Sequence, residues 1–301
     1  MRGEGKTVAG FLALARGKID RLDARLLLQD ISGLTHTRLI AEPQTALSPE
    51  RWQTLASLLE RRAAGEPLAY LLGHTEFRGR RFIVTPDVLI PRPETEELVE
   101  LALEKFPLPA CGHPLPFAGE GNTLPFSPFP LPRSMPPRCV DLGTGSGIIA
   151  ISLKLECPQA EMQAVDASST ALAVAQENAR QLGADIAFHH GSWFEPLAGQ
   201  TFDLIVANPP YVAAGDPHLQ LNGLPHEPQT ALVAGADGLD CLRTIIADAP
   251  AHLNPGGWLL FEHGHDQGDA ARHLLTAAGF EAVFTQTDLA GLDRISGGLK
   301  K

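Results

Sequence analysis

The chain has 301 residues, 44% hydrophobic and 20% charged, which is the balance of a globular protein and not of a disordered or fibrous one. Its 24 basic and 35 acidic side chains leave a net charge of −11, contrary to the dense cationic surface that coating a nucleic acid requires. The imbalance is uneven: residues 1–80 carry 12 Lys/Arg against 9 Asp/Glu, so the rest of the chain holds a net charge of −14 and the two parts differ chemically.

Val8–Ala15 is a short apolar patch with Arg16 and Lys18 directly after it and no small-residue cleavage site. It reads as an amphipathic helix and not as a signal peptide. No apolar run approaches the roughly 18 residues of a membrane span. Residues 8–72 read as about four helices, a small helical domain. Ile19, Leu22, Leu26 and Leu27 recur at helical spacing, and Ser48-Pro49-Glu50 caps and opens a helix whose apolar face holds Trp52, Leu55, Leu58 and Leu59. Residues 75–90, with alternating Phe82 and Val84 and a turn at Gly79, predict a β-hairpin. Pro91-Arg92-Pro93-Glu94 then opens a helix to about Lys105, with acids in its first turn. Residues 106–137 differ in kind: ten of the 32 are proline, and only Glu120 and Arg133 are charged. Proline withdraws backbone donors, so an exposed insertion is expected.

From Arg138 onward strands and helices alternate. Strands are predicted at 139–142, 162–166, 186–189, 202–207, 257–262 and 280–286, and the terminal ISGGLKK reads as a weak final strand. Helices are predicted at 148–155, 169–182, 240–253 and 268–278. The pattern implies an α/β protein: an open, mostly parallel Rossmann-like sheet with helices on both faces and ligands at the carboxyl edge of the strands. The expected organisation is a helical domain at 1–74, a hairpin connector at 75–93 and a catalytic domain at 94–301.

Three motifs carry chemistry. Asp141-Leu142-Gly143-Thr144-Gly145-Ser146-Gly147 ends one strand and opens a helix. A dinucleotide fingerprint would need glycine at Ile148, and a Walker loop would need Gly-Lys-Ser/Thr, so the loop suits a nucleoside cofactor without a pyrophosphate. Asp166, 19 residues beyond Gly147 at the next strand end, can accept hydrogen bonds from ribose hydroxyls. Asn208-Pro209-Pro210-Tyr211 follows the strand 202–207 directly. Its prolines stiffen the turn, asparagine and proline carbonyls can grip an NH2 group, and tyrosine offers a flat face to a planar group. An amino group conjugated to a π system fits that set.

DLGTGSG, AVDAS, NPPY and GGWLLFEHG resemble the class I S-adenosylmethionine-dependent methyltransferases that carry an NPPY loop. Within that group GEPLAYLLGHTEF, IPRPETEELVE, ANPPYVAAGDPHLQ and HEPQTALVAGADGL resemble the peptide-chain-release-factor glutamine N5-methyltransferase family. The resemblance implies S-adenosyl-L-methionine as cofactor, held by Gly143, Thr144, Gly145, Ser146 and Gly147 at its methionine end, by Asp166 at the ribose and by Trp193 beside the adenine. It implies Asn208, Pro209, Pro210 and Tyr211 as the catalytic and substrate-binding slot. Glu227 and Glu262 also fall at family positions, either against ligand or in support of the loop. Two departures stand out: Ser192 occupies a position where the family often has aspartate, and the proline-rich insertion is not a family feature.

The implied partner is a release factor, with the protein a cytoplasmic monomer. An adenine N6 acceptor in DNA fits the same slot, but the acidic catalytic part and the lack of a basic recognition domain oppose it. A non-catalytic cofactor-binding module is opposed by the intact NPPY. Neither His189-His190 nor His263-Gly264-His265 has metal-ligand spacing, and no metal is expected. The cysteines, Cys111, Cys139, Cys157 and Cys241, form no CxxC pair and are expected to be reduced.

Overall fold

The computed structural model describes residues 5–105, 136–221 and 223–301. The insertion expected at 106–137 lies, except for its last two residues, outside the described residues, as does Cys111. Among the described residues no helix is long and apolar enough to cross a membrane. The chain forms two compact units.

The first unit contains α1 (Val8–Ala15), α2 (Arg21–Ser32), α3 (His36–Ala41), α4 (Pro49–Ala63) and α5 (Leu68–Leu72). That is five helices where about four are expected, because α3 and α5 are too short to repeat an apolar face. Local chemistry sets the starts. The Asp20 side chain accepts from Leu22 N at 2.6 Å, and the Ser48 hydroxyl accepts from Arg51 N at 3.2 Å with Pro49 in the first turn. Phe11, Leu27, Leu28, Leu55 and Leu59 are fully buried together, and the Arg62–Asp23 ion pair at 2.7 Å ties α4 to α2. The unit is not one run of chain, since residues 84–86 and Pro217–His226 also belong to it. A side chain at Gly223 would meet Pro67 at 3.1 Å, so this later segment lies close against the residues that open α5.

The second unit is built on a seven-stranded sheet. The hairpin of β1 (His74–Phe77) and β2 (Arg80–Ile83) leads into α6 (Glu94–Lys105). Then follow β3 (Arg138–Leu142), α7 (Ile148–Glu156), β4 (Glu161–Asp166), α8 (Ser169–Leu182), β5 (Ala187–His190) and β6 (Phe202–Ala207). α9 (Asp240–His252), β7 (Leu253–Glu262), α10 (Gly268–Ala277), β8 (Glu281–Thr287) and β9 (Asp293–Leu299) complete the order. The strands lie β5-β4-β3-β6-β7-β9-β8, with β9 antiparallel to both its neighbours and the pairs from β5 to β7 parallel. Alternation along the strands makes two cores. Cys139, Met162, Ala164, Leu204, Val206 and Leu260 pack with α6 and α7, whereas Val140, Leu142, Val165, Ile205, Leu259 and Phe261 pack with α9 and α10.

The weak final strand expected from ISGGLKK is a full seven-residue strand inside the sheet. Its glycines are the price of that place. A side chain at Gly297 would stand 2.5 Å from Leu260 Cδ2 and 2.8 Å from the Leu259 carbonyl, and one at Gly298 would meet Phe280 at 2.7 Å. Just beyond it, the Lys300 ammonium donates to the carbonyls of Pro250 and Leu253, satisfying the end of α9 where a cation is favoured.

Candidate functional site

The chain runs outward from β3 to β4 and β5, then returns to place β6 on the other side of β3. That reversal opens a crevice at the carboxyl ends of the strands. A cavity of about 320 Å³ lies there. Gly143, Thr144, Gly145, Ser146, Asp166, Ser192, Trp193, Asn208 and Pro210 line it, with Thr95, Arg92 and Cys241. Gly147, Pro209 and Tyr211 do not. Gly147 takes φ 83° at the start of α7, where a side chain would collide with Ile151 at 2.8 Å, so it serves helix packing.

The loop after β3 is held from several sides. The N–H groups of Gly143 and Thr144 donate to the Val165 carbonyl at 2.8 and 3.0 Å. Gly145 N donates to Asp166 Oδ2 at 2.8 Å, and Ser168 N donates to Asp166 Oδ1 at 2.8 Å. Asp166, expected at the ribose, therefore also fixes the loop. Trp193 has the left-handed φ of 46°, which brings its indole to 3.3 Å from where a Gly143 side chain would begin. Trp193 thus combines a strained backbone with a place in the cavity wall. Ser192 N donates to the Glu195 carboxylate at 3.1 Å.

Asp141, the first residue of the glycine motif, and Asn178, outside the motifs, hold the loop from behind. Asp141 is wholly buried, with Oδ2 accepting from the Thr144 hydroxyl at 2.6 Å and from Ala150 N at 3.3 Å, while Oδ1 has no partner among the described residues. Burial pushes its carboxyl up to about 7. Asn178 on α8 donates to the carbonyls of Ser146 and Ile83 at 2.9 and 3.0 Å and accepts from Ile83 N at 2.7 Å. A signal for it existed: Asn178 interrupts the buried face formed by Ala171, Leu172, Val174, Ala175 and Ala179. A polar residue on an apolar face needs a partner.

At the end of β6, Asn208 Nδ2 donates to Thr95 Oγ1 at 3.1 Å, and among the described residues its buried Oδ1 has no hydrogen-bond partner. Thr95 Oγ1 donates to Glu262 Oε2 at 2.7 Å, and the Tyr211 hydroxyl donates to Glu262 Oε1 at 3.3 Å. Burial and the nearby Glu262 charge push the Tyr211 hydroxyl well above its ordinary range. Gln267 donates to the Tyr211 carbonyl at 3.0 Å, which fixes the backbone as well. Glu227 accepts from Ile90 N at 3.1 Å and from Arg92 at 2.6 Å, so it supports the segment before α6. Glycine turns, an acidic strand end, an indole wall and, at Asn208, an acceptor without a partner among the described residues fit a nucleoside cofactor.

A sheet of this order, with a GxGxG loop on β3 and an NPPY turn on β6, defines a class I methyltransferase. Residues 6–73 match the PrmC N-terminal domain and residues 130–223 the methyltransferase small domain. The release factor glutamine methyltransferase of Bordetella pertussis is 45% identical over 95% of this chain and 97% of its own length. That of Neisseria gonorrhoeae is 44% identical over 94% of each. The chain belongs to the release factor glutamine methyltransferase family. Two solved structures share the fold. The hMettl16 catalytic domain, solved with an RNA hairpin, has a TM-score of 0.51 at 14% identity, covering 83% of this chain and 82% of that one. A Thermus thermophilus 16S rRNA methyltransferase, solved with AdoMet and guanosine, has a TM-score of 0.50 at 18% identity, covering 76% of this chain and 50% of that one.

Proposed function

We propose that this chain transfers a methyl group from S-adenosyl-L-methionine to the side-chain amide nitrogen of a glutamine in a peptide chain release factor. The observation that carries the reading is Asn208, a residue of the cavity wall whose buried Oδ1 has no partner among the described residues. A buried acceptor without a partner is costly unless a ligand donates to it. Relatives with 45% and 44% identity over nearly the whole chain are named for this substrate.

Bound in the cavity, S-adenosyl-L-methionine supplies an electrophilic methyl group on sulfur. The residues of the chain do the rest by position. The glycine loop and Asp166 hold the cofactor, with Trp193 against its flat base. Asn208 Oδ1 and the Pro209 carbonyl take the two N–H groups of the substrate amide. This aims the nitrogen at the methyl group and raises its reactivity. Pro210 and Tyr211 keep the turn rigid. The nitrogen loses one proton after transfer, and no side-chain base is needed. The helical unit around residues 1–74 recognises the protein substrate, and the enzyme works as a cytoplasmic monomer on protein and not on DNA.

Incubation with labelled cofactor and either a release factor or DNA tests this. Label on the release factor, located by mass spectrometry on a glutamine, is expected. Label on DNA alone would overturn it.

A further inference from the structure

Glu262 ends β7 at 1% exposure, and Thr95, in the first turn of α6, is fully buried beside it. Thr95 has a single hydroxyl hydrogen, and a carboxylate can only accept. At 2.7 Å from Glu262 Oε2, that hydrogen is committed to the carboxylate. The Thr95 oxygen can then only accept from its other side, where Asn208 lies at 3.1 Å. An asparagine turned the other way would set its carbonyl oxygen against the Thr95 lone pairs.

We propose that Glu262 is a positioning residue for methyl transfer, setting through Thr95 which way the Asn208 amide faces. The inference rests on the reading of Asn208 as the acceptor for the substrate NH2. With Glu262 ionised, the relay leaves Asn208 Oδ1 on the side away from Thr95, without a partner among the described residues and open to a donor. Reversing the relay reverses the amide. A glutamine at 262 can donate its NH2 to Thr95 Oγ1 and still accept from Tyr211. The Thr95 hydrogen is then released toward Asn208, whose Oδ1 turns to take it. The substrate NH2 would meet another NH2. The size and shape of the side chain at 262 hardly change, so packing alone would notice little.

Protonation of Glu262 reverses the relay in the same way. Burial raises its carboxyl above the ordinary range, opposed by Thr95, by Arg294 on β9 and by Tyr211, with Glu94 of α6 adding to the rise. The substrate amide does not titrate, so the relay gives the parent enzyme an acid limb that begins above the usual carboxylate range.

The test compares single-turnover rates at saturating cofactor across pH 5–8, with calorimetric cofactor titrations and melting curves on the same proteins. Glu262→Gln is expected to slow transfer by on the order of 10²-fold, the usual effect of one misplaced polar group at a reacting centre, and to flatten the acid limb. Cofactor affinity should stay within about two-fold by the same argument, since the wall that holds the cofactor is left intact. Thr95→Val should slow transfer similarly, and Thr95→Ser should restore most of that loss because the hydroxyl returns. Should Glu262→Gln fail to fold, the two Thr95 variants decide alone. A Glu262→Gln enzyme with the parent rate and pH profile, or Thr95→Ser no faster than Thr95→Val, overturns the inference. If Asn208→Ala also keeps the parent rate, the reading of the slot fails as well; if only Asn208→Ala is slow, that reading survives without the relay.

Discussion

Asn208 and Asp166 line the same cavity, and the proposed reading divides its work between them. On that reading Asn208→Ala removes the acceptor for the substrate amide, and a loss on the order of 10²–10³ in turnover is expected with a smaller loss of cofactor affinity. Asn208→Asp keeps the shape and an acceptor but loses the N–H that Thr95 receives, so it too should lose more turnover than affinity. Asp166→Ala should do the opposite, weakening the cofactor first, because its carboxylate also holds Gly145 N. Single-turnover rates beside calorimetric titrations separate the two effects. Asp141 yields a prediction of another kind. Its folded carboxyl is pushed up to about 7, so between about pH 4 and 7 the folded chain keeps a proton that the unfolded chain has released. Its contribution to stability is full below that window and is lost as pH rises through it. A difference of one pKa unit is already about 1.4 kcal/mol, or roughly 3–5 °C in melting temperature. Asp141→Asn should therefore melt with a flatter pH dependence across the window, and an unchanged slope would show that Asp141 is ionised when folded.

Elements whose sequence repeats on one face were legible, and elements fixed by distant partners were not. α8 is found at the predicted residues 169–182, because its alanine-rich face repeats at helical spacing and Ser168 caps it. β6 and the turn at Asn208 are likewise where the run of Leu204, Ile205 and Val206 puts them. β9 was legible only as a weak strand, since Gly297 and Gly298 have no side chains to show a period, and the reason for them lies on β7 and at Phe280. Gly297→Ala should overpack this contact and destabilise the fold by about 1–3 kcal/mol, or roughly 3–10 °C in melting temperature. A melting curve like that of the parent would mean that β9 moves aside freely. In the site, Gly143–Ser146, Asp166, Asn208 and Pro210 of the three motifs line the cavity, and Gly147, Pro209 and Tyr211 do not. The links from Thr95 to Glu262, 167 residues apart, and from Asn178 to Ile83, 95 apart, leave no local pattern and are set by the sheet order.

At the scale of the whole molecule, residues 106–135 stand in the sequence between the end of α6 and the start of β3. Replacing 108–135 by a short linker should leave cofactor affinity and turnover within about two-fold of the parent, because closure entropy changes slowly with loop length. Loss of activity in a folded deletion would assign the segment a function. The sheet order has a consequence of a different sort, in time and not in space. Synthesis runs from the N-terminus, so β7 and β8 leave the ribosome before the strand that comes to lie between them. Until Asp293–Leu299 follows, β7 has one bare edge and β8 has no neighbour in the sheet. A ribosome that halts just before Asp293 has already delivered the glycine loop, Asp166 and Asn208, yet holds a nascent chain with an open edge that can pair with other strands. For an enzyme whose family acts on the factors that end translation, its own sheet closes only when synthesis has passed its last strand.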